Sequence, residues 1–158
     1  QQQLPVTDRA MQVAVQHLNR PQPRIVLGQA LVGLATACID VSDGLLADLG
    51  HILERSGVGA RIDPERVPVA VALHNDVLLK QLGWQDGSQS AVQLFALSAG
   101  DDYELCFTAP PSQRGAIDQL AQRLDIPLTR IGVITETPGL LNAASGETIV
   151  TRRGYTHF

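Results

Sequence analysis

Two short acidic stretches hold the residues of this chain whose types and spacing suit chemistry. The first, Ile39-Asp40-Val41-Ser42-Asp43-Gly44-Leu45, sets two carboxylates and a hydroxyl where an apolar run gives way to a helical pattern. Two readings fit it. Ser42 or an aspartate could accept unpaired backbone N–H groups at the helix start, where negative charge also suits the helix dipole. Alternatively, Asp40 and Asp43 could ligate Mg2+, whose octahedral shell is usually completed by water and nucleotide phosphates. In that reading Ser42 donates to a phosphate oxygen and Gly44 permits close backbone approach.

The second stretch, Ser98-Ala99-Gly100-Asp101-Asp102-Tyr103-Glu104-Leu105, loads a small-residue turn with acids just before an apolar run. It reads either as a solvated turn or as a loop facing a metal or a cationic ligand, since rigid backbone positions acids at a strand entrance while solvent still reaches them. In the second reading Asp101 and Asp102 point in different directions, so only one of them faces the ligand. A third stretch, Arg153-Gly154-Tyr155-Thr156-His157-Phe158, is either a core plug or a stacking surface. Trp84 and His51 read as packing or surface residues.

The remaining chemistry-bearing residues exclude more than they suggest. The histidines at 17, 51, 74 and 157 lack zinc-like spacing, and no zinc site is predicted. Cys38 and Cys106 each sit inside a short apolar run and read as buried, reduced thiols. A net charge of −4 argues against a broad nucleic-acid footprint. No apolar run reaches the roughly 20 residues that span a bilayer, and the polar start lacks the regions of a signal peptide. The chain therefore reads as cytoplasmic. Its 158 residues, 44% hydrophobic and 18% charged, fit one folded domain over 1–158.

The elements that must position these stretches follow from periodicity. Apolar spacing predicts helices over 7–18, with Thr7 or Asp8 as cap, over 25–34, 43–56 and 74–82, and one starting at Pro111-Ser112. In the 43–56 helix, Leu45, Leu46, Leu49, Ile52 and Leu53 share one face, and Asp48, Glu54 and Arg55 fall on the other. Strands are expected over 36–41, 58–63, 103–109 and 128–135, with a hairpin from 140–143 and 147–151. A short helix or strand follows the Gly83–Gly87 loop. The mixed order predicts an α+β fold with helices packed on a mixed sheet.

Taken together, several segments resemble the C-terminal half of the thiamine-monophosphate kinase family. They are Ile39 through Leu53, Ser56-Gly57-Val58-Gly59-Ala60, Gly100-Asp101-Asp102-Tyr103-Glu104-Leu105-Cys106-Phe107-Thr108, and Gly154-Tyr155-Thr156-His157-Phe158, in the family's order and spacing. The family is related to aminoimidazole-ribonucleotide synthetase, selenophosphate synthetase and a hydrogenase-maturation protein, which use ATP at a cleft between an N-terminal and a C-terminal domain. The resemblance implies the C-terminal fold of aminoimidazole-ribonucleotide synthetase, a cytoplasmic homodimer when full length, and ATP-dependent phosphorylation of thiamine monophosphate to thiamine diphosphate.

By the same resemblance Asp40 and Asp43 act in catalysis as ligands of Mg2+, Ser42 contacts ATP phosphate, and Asp101 and Tyr155 contact thiamine monophosphate. The family often has Gly-Gly-Glu-Asp where this chain has Ala99-Gly100-Asp101-Asp102, an acid one methylene shorter. The family's N-terminal half, with its own metal and nucleotide ligands, is expected to be missing, so the isolated chain is expected to be inactive. The competing readings are a non-catalytic binding or assembly module and another ATP-dependent member of the superfamily.

Overall fold

The computed structural model describes residues 9–70 and 89–149. In chain order they form α1 (Arg9–Asn19), α2 (Ile25–Ala30), β1 (Ala37–Asp40), α3 (Leu45–Ser56), β2 (Gly59–Ile62), α4 (Gln89–Ser98), β3 (Leu105–Thr108), α5 (Arg114–Leu124), β4 (Gly132–Thr135) and β5 (Gly139–Asn142). β1 and β3 pair antiparallel, with Ile39 opposite Cys106 and Cys38 opposite Phe107. β2 lies between β4, to which it is antiparallel, and β5, to which it is parallel. The predicted α+β fold with a mixed sheet is thus present, the strands being divided between two sheets.

α3 is the element around which the larger core forms. Leu46, Leu49, Ile52 and Leu53 make one helical stripe and meet Val41, Ala60, Ile62, Leu97, Cys106 and Leu140. The helix stops at Gly57, which adopts the left-handed conformation at φ 65 and donates back to the Glu54 carbonyl.

Alternation along β3 creates a second core on the opposite face of the β1–β3 ribbon. Cys106 points into the α3 core, whereas Leu105 and Phe107 pack against Leu27 and Leu31, from α2 and the turn after it, and Leu120 of α5. The ribbon is therefore held from both sides. That clamp fixes the loops at its ends, and these carry both acidic stretches.

Several expectations shift. The helix expected over 25–34 ends at Ala30, because Gly33 turns the chain at φ 81 and leads it into β1. The strand expected over 128–135 begins only at Gly132, since Leu128 packs into the α2–α5 core instead of pairing. The segment left open between helix and strand is α4. Leu141 does bridge Thr148 as the hairpin requires, but the main partner of β5 is β2. Cys106 is buried as expected and Cys38 is exposed, because its side of the ribbon is left uncovered at that position. The helix over 74–82, the cap at Thr7 or Asp8 and the stretch 150–158 lie outside the described residues.

Candidate functional site

β1 delivers the chain to Asp40 and α3 begins at Leu45, so the first acidic stretch is the connection between them. The helix N-cap is Gly44, at φ 108 and ψ 146, and no side chain caps it. Ser42 and Asp43 therefore do not serve as caps. The hydrogen bonding runs the other way: Asp48, in the first turn of α3, reaches back, and its Oδ2 accepts the N–H groups of Ser42 at 2.9 Å and Asp43 at 3.1 Å.

Asp48 is only 3% exposed and is the one buried charged residue among the described residues. This corrects the placement of Asp48 on the polar face of α3, since two backbone donors draw its carboxylate inward. The signal that could have found it is an acid in the first helical turn behind a glycine that has no side chain with which to cap.

The second acidic stretch is tied to the first by backbone. The Val41 N–H donates to the Glu104 carbonyl at 2.8 Å, the Tyr103 N–H to the Val41 carbonyl at 2.9 Å, and the Asp101 N–H to the Ser42 carbonyl at 2.9 Å. The approach demands glycine twice. A Cβ at Gly44 would stand 2.7 Å from the Ser98 carbonyl oxygen, and one at Gly100 would stand 2.3 Å from the Ser42 carbonyl oxygen.

To meet these bonds, Asp101 and Tyr103 adopt left-handed backbone at φ 64 and φ 53, which is uncommon for Asp and costlier for an aromatic residue. This is why β3 starts at Leu105 and not at 103. The exposed Tyr103 hydroxyl donates to Asp101 Oδ1 at 3.3 Å.

Charge around these loops is strongly negative. Arg24, at the start of α2, holds Glu104 through two bonds, Nε to Oε2 at 2.8 Å and Nη2 to Oε1 at 2.6 Å, and the pair raises the Arg24 pKa. Asp102 is solvent-exposed, yet desolvation by the surrounding loop, with Glu104 and Asp101 nearby, raises its carboxyl pKa above the ordinary value. Burial, aided by Cys38 and Asp48, pushes the Cys106 thiol up to about 11. A thiol so far from ionising is structural.

Asp40 is exposed and Asp43 half-buried, and neither carboxylate has a hydrogen-bond or ion-pair partner among the described residues. Hard oxygen donors left unpaired suit Mg2+. The same residues contain no group of three or more His, Cys, Asp or Glu able to enclose a metal, so two protein ligands would leave the rest of the shell to water and phosphate. Tyr155 lies outside the described residues.

The sequence model described as "AIR synthase related protein, C-terminal domain" matches residues 3–140. The chain belongs to this family. The matched span takes in both loops of this AIR-synthase-related domain and stops before Tyr155. Similar proteins include the thiamine-monophosphate kinases of Escherichia coli O157:H7, 46% identical over 88% of this chain and 40% of the relative, and of Haemophilus influenzae, 40% identical over 88% of this chain and 41% of the relative.

Solved structures agree. The crystal structure of thiamine-monophosphate kinase from Stenotrophomonas maltophilia K279a is 44% identical at a TM-score of 0.73, over 89% of this chain and 40% of that one. "AaThiL complexed with AMPPCP and TMP" is 28% identical at a TM-score of 0.75, over 98% of this chain and 44% of that one. The domain thus spans about 40% of the length of the relatives it matches. Among the described residues no helix is long and apolar enough to cross a membrane.

Proposed function

We infer that this domain is the C-terminal part of a thiamine-monophosphate kinase, which passes the γ-phosphoryl group of ATP to the phosphate of thiamine monophosphate and yields thiamine diphosphate and ADP. One observation supports the reading above others: the Asp101 N–H bond to the Ser42 carbonyl joins the stretch proposed for metal and phosphate to the stretch proposed for the acceptor. The names of the relatives, and the nucleotide analogue and TMP bound in one structural neighbour, support it.

The acceptor phosphate is already an anion at neutral pH, so the reaction needs no strong base, in keeping with two loops that carry no histidine. The obstacle is repulsion between phosphates, and catalysis rests on positioning and charge compensation. Asp40 and Asp43 would hold Mg2+, which supplies that compensation when bound. The Ser42 hydroxyl donates to a phosphate oxygen of ATP. Asp101 offers its carboxylate to the thiazolium cation, and Tyr155 offers a ring to the pyrimidine.

The other ligands come from an N-terminal half, and the whole protein works as a cytoplasmic homodimer. The test is turnover of ATP and thiamine monophosphate by the full-length protein, the isolated domain being inactive. Asp40→Asn and Asp43→Asn should each slow turnover far more than they lower the melting temperature. Wild-type kinetics in both variants at limiting Mg2+ would overturn the assignment of the metal ligands.

A further inference from the structure

The Asp48 carboxylate lies behind both loops and touches neither solvent nor, in the reading above, any substrate. Burying a carboxylate is costly unless it is well satisfied, and here the compensation consists of two backbone N–H groups on consecutive residues, Ser42 and Asp43. These are the residues assigned to phosphate and to Mg2+. Gly44 brings no side chain to the turn, so without Asp48 the two amides would lose their only acceptor among the described residues.

The same peptide units face the other way as acceptors. The Ser42 carbonyl takes the Asp101 N–H and the Val41 carbonyl takes the Tyr103 N–H. The left-handed backbone of Asp101 and Tyr103 persists only because it is held by such bonds. Fixing residues 42 and 43 therefore fixes Asp101 as well.

We propose that Asp48 is a positioning residue that sets the metal-and-phosphate loop and the acceptor loop together, so that its loss weakens Mg2+ and acceptor binding in concert. The inference rests on the functional reading above. Oriented ligands depend on the groups that hold them, and loss of such support commonly costs about 10- to 100-fold in metal affinity or activity.

The test uses the full-length protein with Asp48→Ala, Asp48→Asn and, in parallel, Asp43→Asn. Mn2+ binding is measured spectroscopically in the presence of AMPPCP, the acceptor Michaelis constant by turnover, and backbone order by amide hydrogen exchange. In Asp48→Ala the Mn2+ dissociation constant and the acceptor constant should both rise about 10-fold or more. The amides of Ser42, Asp43, Asp101 and Tyr103 should exchange faster while those of Ile52 and Leu53 hold. Asp48→Asn keeps an acceptor oxygen without the charge and should move the same readouts less.

A lowered melting temperature with both constants unchanged would reduce Asp48 to a structural role and overturn the proposal. Should Asp48→Ala not fold, Asp48→Asn decides: unchanged exchange at 42 and 43 and unchanged Mn2+ binding overturn it. If Asp43→Asn itself leaves Mn2+ binding intact, the functional reading has failed. If Asp43→Asn weakens Mn2+ and Asp48→Ala does not, only the positioning inference has failed.

Discussion

Ser42 and Asp101 are joined by a 2.9 Å bond from the Asp101 amide to the Ser42 carbonyl, and Gly100 is the residue that lets them approach. A Cβ at position 100 would lie 2.3 Å from that carbonyl oxygen, against backbone that cannot rotate away. Gly100→Ala should therefore destabilise the protein by about 1–3 kcal/mol through overpacking at a loop that is otherwise exposed. Ala99→Gly, which adds only freedom to the unfolded chain, should cost about 0.4–1 kcal/mol. Thermal unfolding of the two variants checks the ranking, and equal effects would mean that the loops separate easily.

The Arg24–Glu104 pair ties α2 to the second loop through two bonds, with the side chains 26% and 51% exposed. Solvent screens such a pair, so Arg24→Met should cost only about 0.2–1 kcal/mol. The expected coupling with Glu104→Gln in a double-mutant cycle is of the same size and shrinks at high salt. Coupling well above that would show that the pair orders the loop as well as attracting across it.

Asp102 gives a pH signature. Its folded pKa is raised by desolvation first and then by Glu104 and Asp101, although the residue is exposed, so the folded state binds a proton somewhat more tightly than the unfolded one. Stability is therefore lost as pH rises from the unfolded carboxylate value, about 3.9, through the higher folded value, and the penalty is complete above it. Asp102→Asn should melt higher than wild type near pH 7, and the difference should fade below about pH 4. A variant that melts lower at neutral pH would show that the charge is stabilising and has a cationic partner.

How much of this was legible in sequence depends on the range of the interaction. The stripe Leu46, Leu49, Ile52 and Leu53 and the apolar runs at β1 and β3 are local patterns, and they located the helix and both strands, though not the pairing that makes the strands a ribbon. The two acidic stretches were each visible by composition. That they meet was not, because the meeting consists of backbone bonds and of two glycine contacts to distant carbonyls. Asp48 was misplaced for a related reason: helical periodicity reports where a Cβ points, and Asp48 is drawn inward by amides that precede its own helix. Cys38 shows the same limit, since an apolar neighbourhood in sequence does not say which face of a two-stranded ribbon is covered.

The two proposed acceptor contacts make the sharpest kinetic prediction, and Asp101 can be changed while its backbone stays in place. Asp101 sits at φ 64, a conformation that Asn tolerates at least as well, and an Asn Oδ1 can still accept from the Tyr103 hydroxyl. Asp101→Asn thus removes charge and little else, and should raise the Michaelis constant for thiamine monophosphate more than that for ATP. Asp101→Glu restores the acid often found in the resembling family, but puts a longer side chain on left-handed backbone and should lose some stability. Tyr155 acts through its ring in this reading, so Tyr155→Phe should retain most of what Tyr155→Ala loses. A stacking contact of about 0.5–1.5 kcal/mol corresponds to a roughly 2- to 12-fold rise in the acceptor constant. If Tyr155→Ala lowers the melting temperature and leaves both constants alone, the terminus is a core plug. Equal rises for ATP and acceptor in Asp101→Asn would mean that Asp101 serves the metal side of the joined loops.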